Sequence, residues 1–528
     1  MCLFNLLNRS HKIKTNKKRI NIKISFLFLI LLGSIFITLS CFHPYMWFDE
    51  SYTIALIQHP FKEIWTIASN DVHPVLYYFL AKIIMKLTNS IICVRLMSCI
   101  PIIIMAILGY THIRKLFGNK VGLLFSFLSL FFPTIIIYCG ELRMYTWAML
   151  FVTIMSIYAY ILCEGNKIKQ KNIKISKVKT LTKTKNYQIK EWIIFSVFSL
   201  FCAYTHYYAL IVAAIVNNML LITFIIRRDK KNIKCEIESA ILQVLLYLPW
   251  LSALIKQTKV VSNGYWIGKA KIIEVIKFIF TGSLNDIKYI PDIVTIPFSF
   301  VILIFLIYLL IKNWKKESFK PVRLIFYIWT CLIILVEIIG LIINQKIFYE
   351  RYLLVLIGTL IFQISLLVAN ENKKIIAVFC ICILIFSTIS NISLINVNYD
   401  ESNKVPIEYI NENVKTTDYI LLWNKNDAGS GFSTIAWILS KCYYQHSNIY
   451  FYNISNWSTE EAYKAYGKTI YNLDEINNLY GRIWIVSSDG LENEFISKYG
   501  DAKIIEQRSF KTKYHNYEYN FTLIERNK

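Results

Sequence analysis

Apolar residues in this chain fall into long uninterrupted runs rather than the narrow stripe of a surface helix, and runs of that length read as membrane spans. The runs at 24–42, 92–112, 121–139, 145–163, 192–206, 207–227, 237–254, 293–312, 323–343, 352–369 and 375–395 predict about 11 transmembrane helices. Segment 74–88 (PVLYYFLAKIIMKLT) stands apart because it is short and carries Lys82 and Lys86. If it crosses, alternation puts 112–120 and the nine-lysine loop 167–190 outside, against the cytoplasmic preference of Lys and Arg in short loops. If it lies in the interface or dips in and returns, the basic loops 112–120, 167–190, 227–234, 312–323 and 372–374 all fall inside, and 255–292 is the one mildly basic exception outside. The second arrangement is the more consistent. It predicts a cytoplasmic N-terminus and an extracytoplasmic C-terminus.

From about residue 396 the pattern changes to short strand-like runs, Tyr419–Trp423, Asn448–Tyr452, Arg482–Val486, Lys503–Ile505 and Tyr517–Ile524, separated by helix-like stretches such as Ser433–Cys442 and Leu491–Tyr499. Such alternation predicts a small α/β domain. The chain thus divides into a basic N-terminus (1–23), a membrane domain (24–395) and an extracytoplasmic domain (396–528). Gly429-Ser430-Gly431 lacks the flanking pattern of a phosphate-cradling loop.

Composition sharpens this picture. Hydrophobic residues are 55% of the 528 positions and charged residues 17%. The net charge of +24 is concentrated before residue 396, where Lys and Arg number 44 against 17 Asp and Glu; beyond it the counts are 14 and 17. The excess is therefore a topology signal in membrane loops, and no nucleic-acid partner is expected. Eleven of twelve cysteines precede residue 396, mostly in apolar runs, and Cys442 alone follows, so the C-terminal domain has no internal disulfide. The first run, Ile24 to Phe42, follows seven basic residues and has no small-residue cleavage site before Pro44, which favours an uncleaved first helix.

Five polar clusters lie between the apolar runs. The first, His43-Pro44-Tyr45-Met46-Trp47-Phe48-Asp49-Glu50, sets paired carboxylates among aromatics at the membrane surface, where charge is costly and marks function. Asp49 is either a general base for an acceptor hydroxyl or the cap of a helix beginning near Glu50. The second, Asp71-Val72-His73-Pro74, offers His73 as a donor to phosphate or a structural histidine, with Pro74 as a first-turn proline. In the third, Gly140-Glu141-Leu142-Arg143-Met144-Tyr145, the Arg143 fork suits a phosphate, and an ion pair with Asp49 or Glu141 is the alternative. The fourth, Tyr204-Thr205-His206-Tyr207-Tyr208, reads as a substrate-facing turn or an aromatic belt. Arg351 and Tyr352 begin the tenth run as a fifth cluster. One topology puts all five on one side at similar depth, which describes a site for a charged, membrane-tethered substrate.

At these residues the chain resembles the C-type glycosyltransferase superfamily (GT-C). The likeness is to its family 39, the group of dolichyl-phosphate-mannose protein mannosyltransferases and bacterial aminoarabinose transferases. The likeness runs over roughly 24–360 in order: Trp47-Phe48-Asp49-Glu50, Asp71-Val72-His73-Pro74 with Leu76-Tyr77-Tyr78, Glu141-Leu142-Arg143-Met144-Tyr145, Thr205-His206-Tyr207 and Arg351-Tyr352. One departure is Val75, where relatives commonly have a second proline. The resemblance implies Asp49 as the base in an inverting transfer, with polyprenyl phosphate as leaving group and Glu50 supporting it or binding acceptor. Arg143 and Arg351 would hold the donor phosphate, while His73, Glu141, Tyr145, His206, Tyr207 and Tyr352 line the substrates. No cofactor and no essential metal are expected.

The partners so implied are a polyprenyl-phosphate sugar, an acceptor on a protein, lipid or cell-wall polymer, and membrane lipids. Richness in Ile, Lys and Asn points to an AT-biased bacterial genome, which makes undecaprenyl phosphate the expected carrier and the cell membrane the expected location. Two readings from other classes remain: a transporter or flippase for a lipid-linked saccharide, and an inactive assembly partner. A transporter places its polar groups near the midplane in repeated, broken helices, whereas here they cluster at one face and no repeat is visible.

Overall fold

The structure, a computed structural model, describes residues 22–43, 46–173, 184–264, 267–268, 270–282, 290–423, 448–452, 457–487, 491–514 and 518–527. The apolar runs fold as helices. In chain order these are α1 (Ile22–Cys41), the short α2 (Phe48–Leu56), α3 (Phe61–Ala68) and α4 (Leu76–Thr88), then α5 (Ile91–Phe117), α6 (Asn119–Phe131), α7 (Pro133–Tyr138) and α8 (Tyr145–Ile173). There follow α9 (Thr184–Thr205), α10 (Tyr207–Ile226), α11 (Lys230–Ser262), α12 (Ile272–Thr281), α13 (Asp292–Asn313), α14 (Glu317–Ile342), α15 (Glu350–Val368) and α16 (Lys373–Asn398).

Among the described residues nine helices are long and apolar enough to cross a membrane: α1, α5, α8, α10, α11, α13, α14, α15 and α16. The chain is a multi-pass membrane protein. Two of the eleven expected runs fall outside this count. The run 121–139 is broken where Phe132 takes extended backbone (ψ 126°) before Pro133, a proline that starts α7. The run 192–206 lies in α9, a helix of 22 residues whose polar first two turns keep it out of that count, although it links the far end of α8 to the start of α10. At about 1.5 Å per residue the thirteen residues of α4 cover only about 20 Å, too little for a hydrocarbon core of about 30 Å. This fits the non-crossing arrangement of 74–88. Pro74 precedes the cap residue Val75 and so sits outside the first turn.

α15 is the innermost span, with 83% of its apolar window buried, and packs against α8 and α6. Tight helix approach is explicit where α5 meets α6: a Cβ on Gly109 would stand 2.2 Å from Ser126 Oγ, whose hydroxyl donates to the Ala106 carbonyl at 2.6 Å. A side chain there would push the two helices apart.

Beyond the membrane helices come α17 (Val405–Asn413), β1 (Tyr419–Trp423), β2 (Ile449–Tyr452), α18 (Trp457–Tyr463), β3 (Lys468–Ile470), β4 (Gly481–Ser487), α19 (Leu491–Lys498), β5 (Ala502–Lys511) and β6 (Glu518–Arg526). They build one six-stranded sheet in the order β3-β2-β1-β4-β6-β5, parallel from β3 to β4 and antiparallel at β6 and β5. Five strands lie where the sequence pattern places them. β3 is too short for a pattern to show, and β5 is longer than expected because its bulge at Ile504/Glu506 interrupts the alternation. The helix-like stretch Ser433–Cys442 and Gly429-Ser430-Gly431 lie outside the described residues.

One face of this sheet shares a hydrophobic cluster with α2, α3 and α4, joining Leu422, Phe451 and Trp484 to Tyr52, Ile64 and Tyr77. α18 docks on α2 and α3, with Ser51 Oγ and Tyr463 Oη 3.3 Å apart and His59 Nε2 3.0 Å from the Ala462 carbonyl.

Candidate functional site

α2 begins at Phe48, with Trp47 as its cap residue and no side-chain cap bond. Asp49 therefore does not cap the helix. Its carboxylate instead lies between two arginines: Oδ2 is 3.6 Å from Arg143 Nε and 3.6 Å from Arg351 Nη1. Asp49 is 27% exposed, whereas the side chains of Arg143 and Arg351 are 4% and 8% exposed, so the anion is the reachable member of the trio. Those separations exceed the roughly 2.7–2.9 Å of a charge-assisted hydrogen bond. The Nε–H groups of both arginines are buried without a hydrogen-bond acceptor. Arg351 also lies over the Trp47 ring, its Cζ 4.7 Å from the centroid.

Adjacent residues on a helix point about 100° apart. Glu50 accordingly faces inward, where Oε1 accepts from the Leu142 backbone N–H at 3.0 Å and Oε2 lies 3.5 Å from Arg95 Nη2. Arg95 is 1% exposed and also donates from Nη1 to the His43 carbonyl at 2.6 Å. Glu50 thus ties α2 to α5 and to the loop carrying Arg143. Both of its carboxylate oxygens face partners within the protein.

The remaining candidates divide. His206 caps α10, its Nδ1 accepting from the Tyr208 N–H at 3.1 Å, which leaves Nε2 buried without a partner. Its ring is 4.9 Å from Tyr352, 5.8 Å from His73 and 5.9 Å from Tyr145, so these four form one aromatic wall. Burial and the Arg143 charge hold His73 well below the usual histidine range, so it is neutral. Tyr207 is turned away from them. Its hydroxyl donates to Gln257 Oε1 and accepts from Trp250 Nε1 at 3.2 Å, which fixes α10 to α11.

Glu141 follows α7, in the loop before α8. Burial pushes its carboxyl up to about 8, opposed by Arg351, and Oε2 has no hydrogen-bond partner. Asp71, which the sequence reading leaves out of the site, lies within reach of the charges of Arg143 and Asp49: burial pushes it up to about 6, Arg143 opposes this, and Tyr78 Oη donates to it at 3.4 Å. The signal was present in Asp71-Val72-His73, of which only the histidine stood out. Arg95 was missed because it opens an apolar run with no polar neighbour. Among the described residues no group of three or more His, Cys, Asp or Glu is placed to hold a metal ion.

A bundle of membrane helices capped by an α/β sheet, with a carboxylate after the first span facing buried arginines, defines a multi-pass membrane protein with a charged site at one end of its helices. The chain is similar in fold to the crystal structure of ArnT from Cupriavidus metallidurans in the apo state, with a TM-score of 0.59 and 8% identity over 96% of this chain and 98% of that one. The same ArnT bound to undecaprenyl phosphate matches with a TM-score of 0.59 over 95% and 97% of the two chains. No family model matches the chain, and no curated protein sequence matches it at a significant level.

Proposed function

We propose that this protein is a glycosyltransferase that moves a sugar from a polyprenyl-phosphate donor to an acceptor hydroxyl at the extracytoplasmic face of the membrane. The observation that carries the reading is the reachable carboxylate of Asp49 set between two buried arginines whose Nε–H groups lack acceptors. The ArnT likeness and its undecaprenyl phosphate complex support the choice of carrier.

Arg143 and Arg351 receive the donor phosphate, which competes with Asp49 for them. Asp49, released from the pair, takes the acceptor's hydroxyl proton as the acceptor oxygen bonds to the anomeric carbon. The bond from that carbon to the phosphate oxygen breaks with inversion, and polyprenyl phosphate leaves as an anion held by the same arginines. A leaving group already anionic needs no general acid. His73, His206, Tyr145 and Tyr352 wall the sugar, and Glu50 holds the Arg143 loop in register.

The reading is tested by incubating purified full-length protein with a panel of undecaprenyl-phosphate sugars, with and without chelator, and measuring released undecaprenyl phosphate. Turnover of at least one donor, unaffected by chelator, is expected. Donors bound but never cleaved would favour a flippase. Replacing either cation, as Arg143→Gln or Arg351→Gln, is expected to weaken undecaprenyl phosphate binding by about 30-fold or more, the loss of a buried charge contact of about 2 kcal/mol or more.

Glu141 adds a pH dependence. Below about 8 its carboxyl is protonated and donates to a phosphate oxygen; above, the carboxylate repels the phosphate. Affinity for undecaprenyl phosphate is therefore expected to fall about tenfold as pH rises through 8, a hydrogen bond to a charged group being worth about 1.5–3 kcal/mol. Glu141→Gln keeps a donor at every pH and should flatten that limb in a binding titration from about pH 6.5 to 9.5. A limb that persists in this variant belongs to another group.

A further inference from the structure

The helices that carry the site enclose a second cavity at their far ends. α8 starts at Tyr145 beside Arg143 and reaches Glu164 after nineteen steps, roughly 28 Å away. Around Glu164 an apolar cavity of about 120 Å³ opens between α5, α8, α10, α14 and α15, lined by side chains such as Ile157, Val216, Leu220, Ile328 and Phe362. It shares Phe117, Tyr160, Glu164 and Lys320 with a wider, more polar pocket of about 610 Å³. The two are thus one space with a narrow hydrocarbon slot and a broad charged mouth.

Slot and mouth together are lined by three cations, Arg227 in the slot, Lys120 in the mouth and Lys320 shared, against two carboxylates, Glu164 and Glu317. Arg227 and Lys320 both reach Glu164 Oε1, at 2.7 and 3.4 Å. Lys120 adds a third cation, and Glu317, the second carboxylate of the lining, also lies 3.9 Å from Arg323. Inside the slot, Ser156 Oγ is buried without a hydrogen-bond partner. The apolar walls of the slot suit packing against a hydrocarbon chain, and the Ser156 hydroxyl can donate to one acceptor on it.

We propose that this space binds one anionic glycerophospholipid of the surrounding leaflet. A stretch of acyl chain fills the slot, an ester carbonyl accepts from Ser156, and the phosphodiester meets the excess charge of Arg227, Lys320 and Lys120. A glycerophospholipid fits better than polyprenyl phosphate on two counts. The slot holds only a short run of hydrocarbon, and the 610 Å³ mouth is far larger than a bare phosphate. The site is independent of sugar transfer at the opposite end.

The test is native mass spectrometry of the full-length protein in detergent with equal phosphatidylglycerol, phosphatidylethanolamine and undecaprenyl phosphate. The wild type should retain one phosphatidylglycerol in about fivefold preference over phosphatidylethanolamine, the factor that one cation near an anionic headgroup supplies. Ser156→Phe, which fills the slot, and Lys320→Gln should each lose that preference, and Lys320→Arg should keep it, with melting temperatures near wild type showing that each variant is folded. Equal retention of the two phospholipids, preference unchanged in both folded loss variants, or displacement by undecaprenyl phosphate at equal concentration would overturn the proposal. If both loss variants unfold, the comparison rests on the wild type's headgroup preference alone, whose absence overturns it.

Discussion

Asp49→Asn is expected to lower undecaprenyl phosphate release by about 10³-fold, within the 10²–10⁴ that a positioned general base contributes, while leaving binding of undecaprenyl phosphate equal or tighter. The split follows from the geometry. The carboxylate is within 3.6 Å of both Arg143 and Arg351, so it competes with the donor phosphate for the cations it later needs as partners. Removing its charge removes the competitor and the base together. Single-turnover release and equilibrium binding, measured on the same preparation, separate the two effects. If binding weakens in step with turnover, Asp49 is a binding group and the base lies elsewhere, with Asp71 the next carboxylate to test.

The second large effect is on stability. Glu50→Ala leaves the Arg95 guanidinium, 1% exposed, without its carboxylate and removes the acceptor of the Leu142 N–H. Breaking a buried pair from one side costs about 3–5 kcal/mol. A marked drop in melting temperature in detergent is expected, whereas Glu50→Gln, which keeps an oxygen for Leu142, should lose less. Because Leu142 precedes Arg143, surviving Glu50→Ala protein should also bind undecaprenyl phosphate more weakly. An unchanged melting temperature in Glu50→Ala would show that Glu50 is not the strut between α2, α5 and this loop.

Much of the architecture was legible before any coordinates. Membrane helices announce themselves because backbone polar groups in hydrocarbon must bond within their own segment, which forces long apolar runs. The α/β pattern after residue 396 was equally plain for strands long enough to alternate. What failed was local: the run 121–139 reads as continuous by hydropathy, yet Pro133 breaks it, and Lys468–Ile470 gives no periodicity to detect.

At the site, the sequence by itself determined the chemical inventory: carboxylates, arginines, histidines and tyrosines at the ends of apolar runs, where burial of charge needs a reason. It named Asp49 as the base and Glu50 as its support or an acceptor contact without the partners of either, and it could not tell Tyr207 from His206. Neighbours on a helix or at its cap leave the backbone in different directions, and which direction meets a partner depends on what packs there. Only the tertiary structure decided that Asp49 meets Arg143 and Arg351, that Glu50 meets Arg95, and that Tyr207 is taken by Gln257 and Trp250. Those partners stand 43 to 302 positions apart in the chain, a separation over which hydropathy and spacing carry no information.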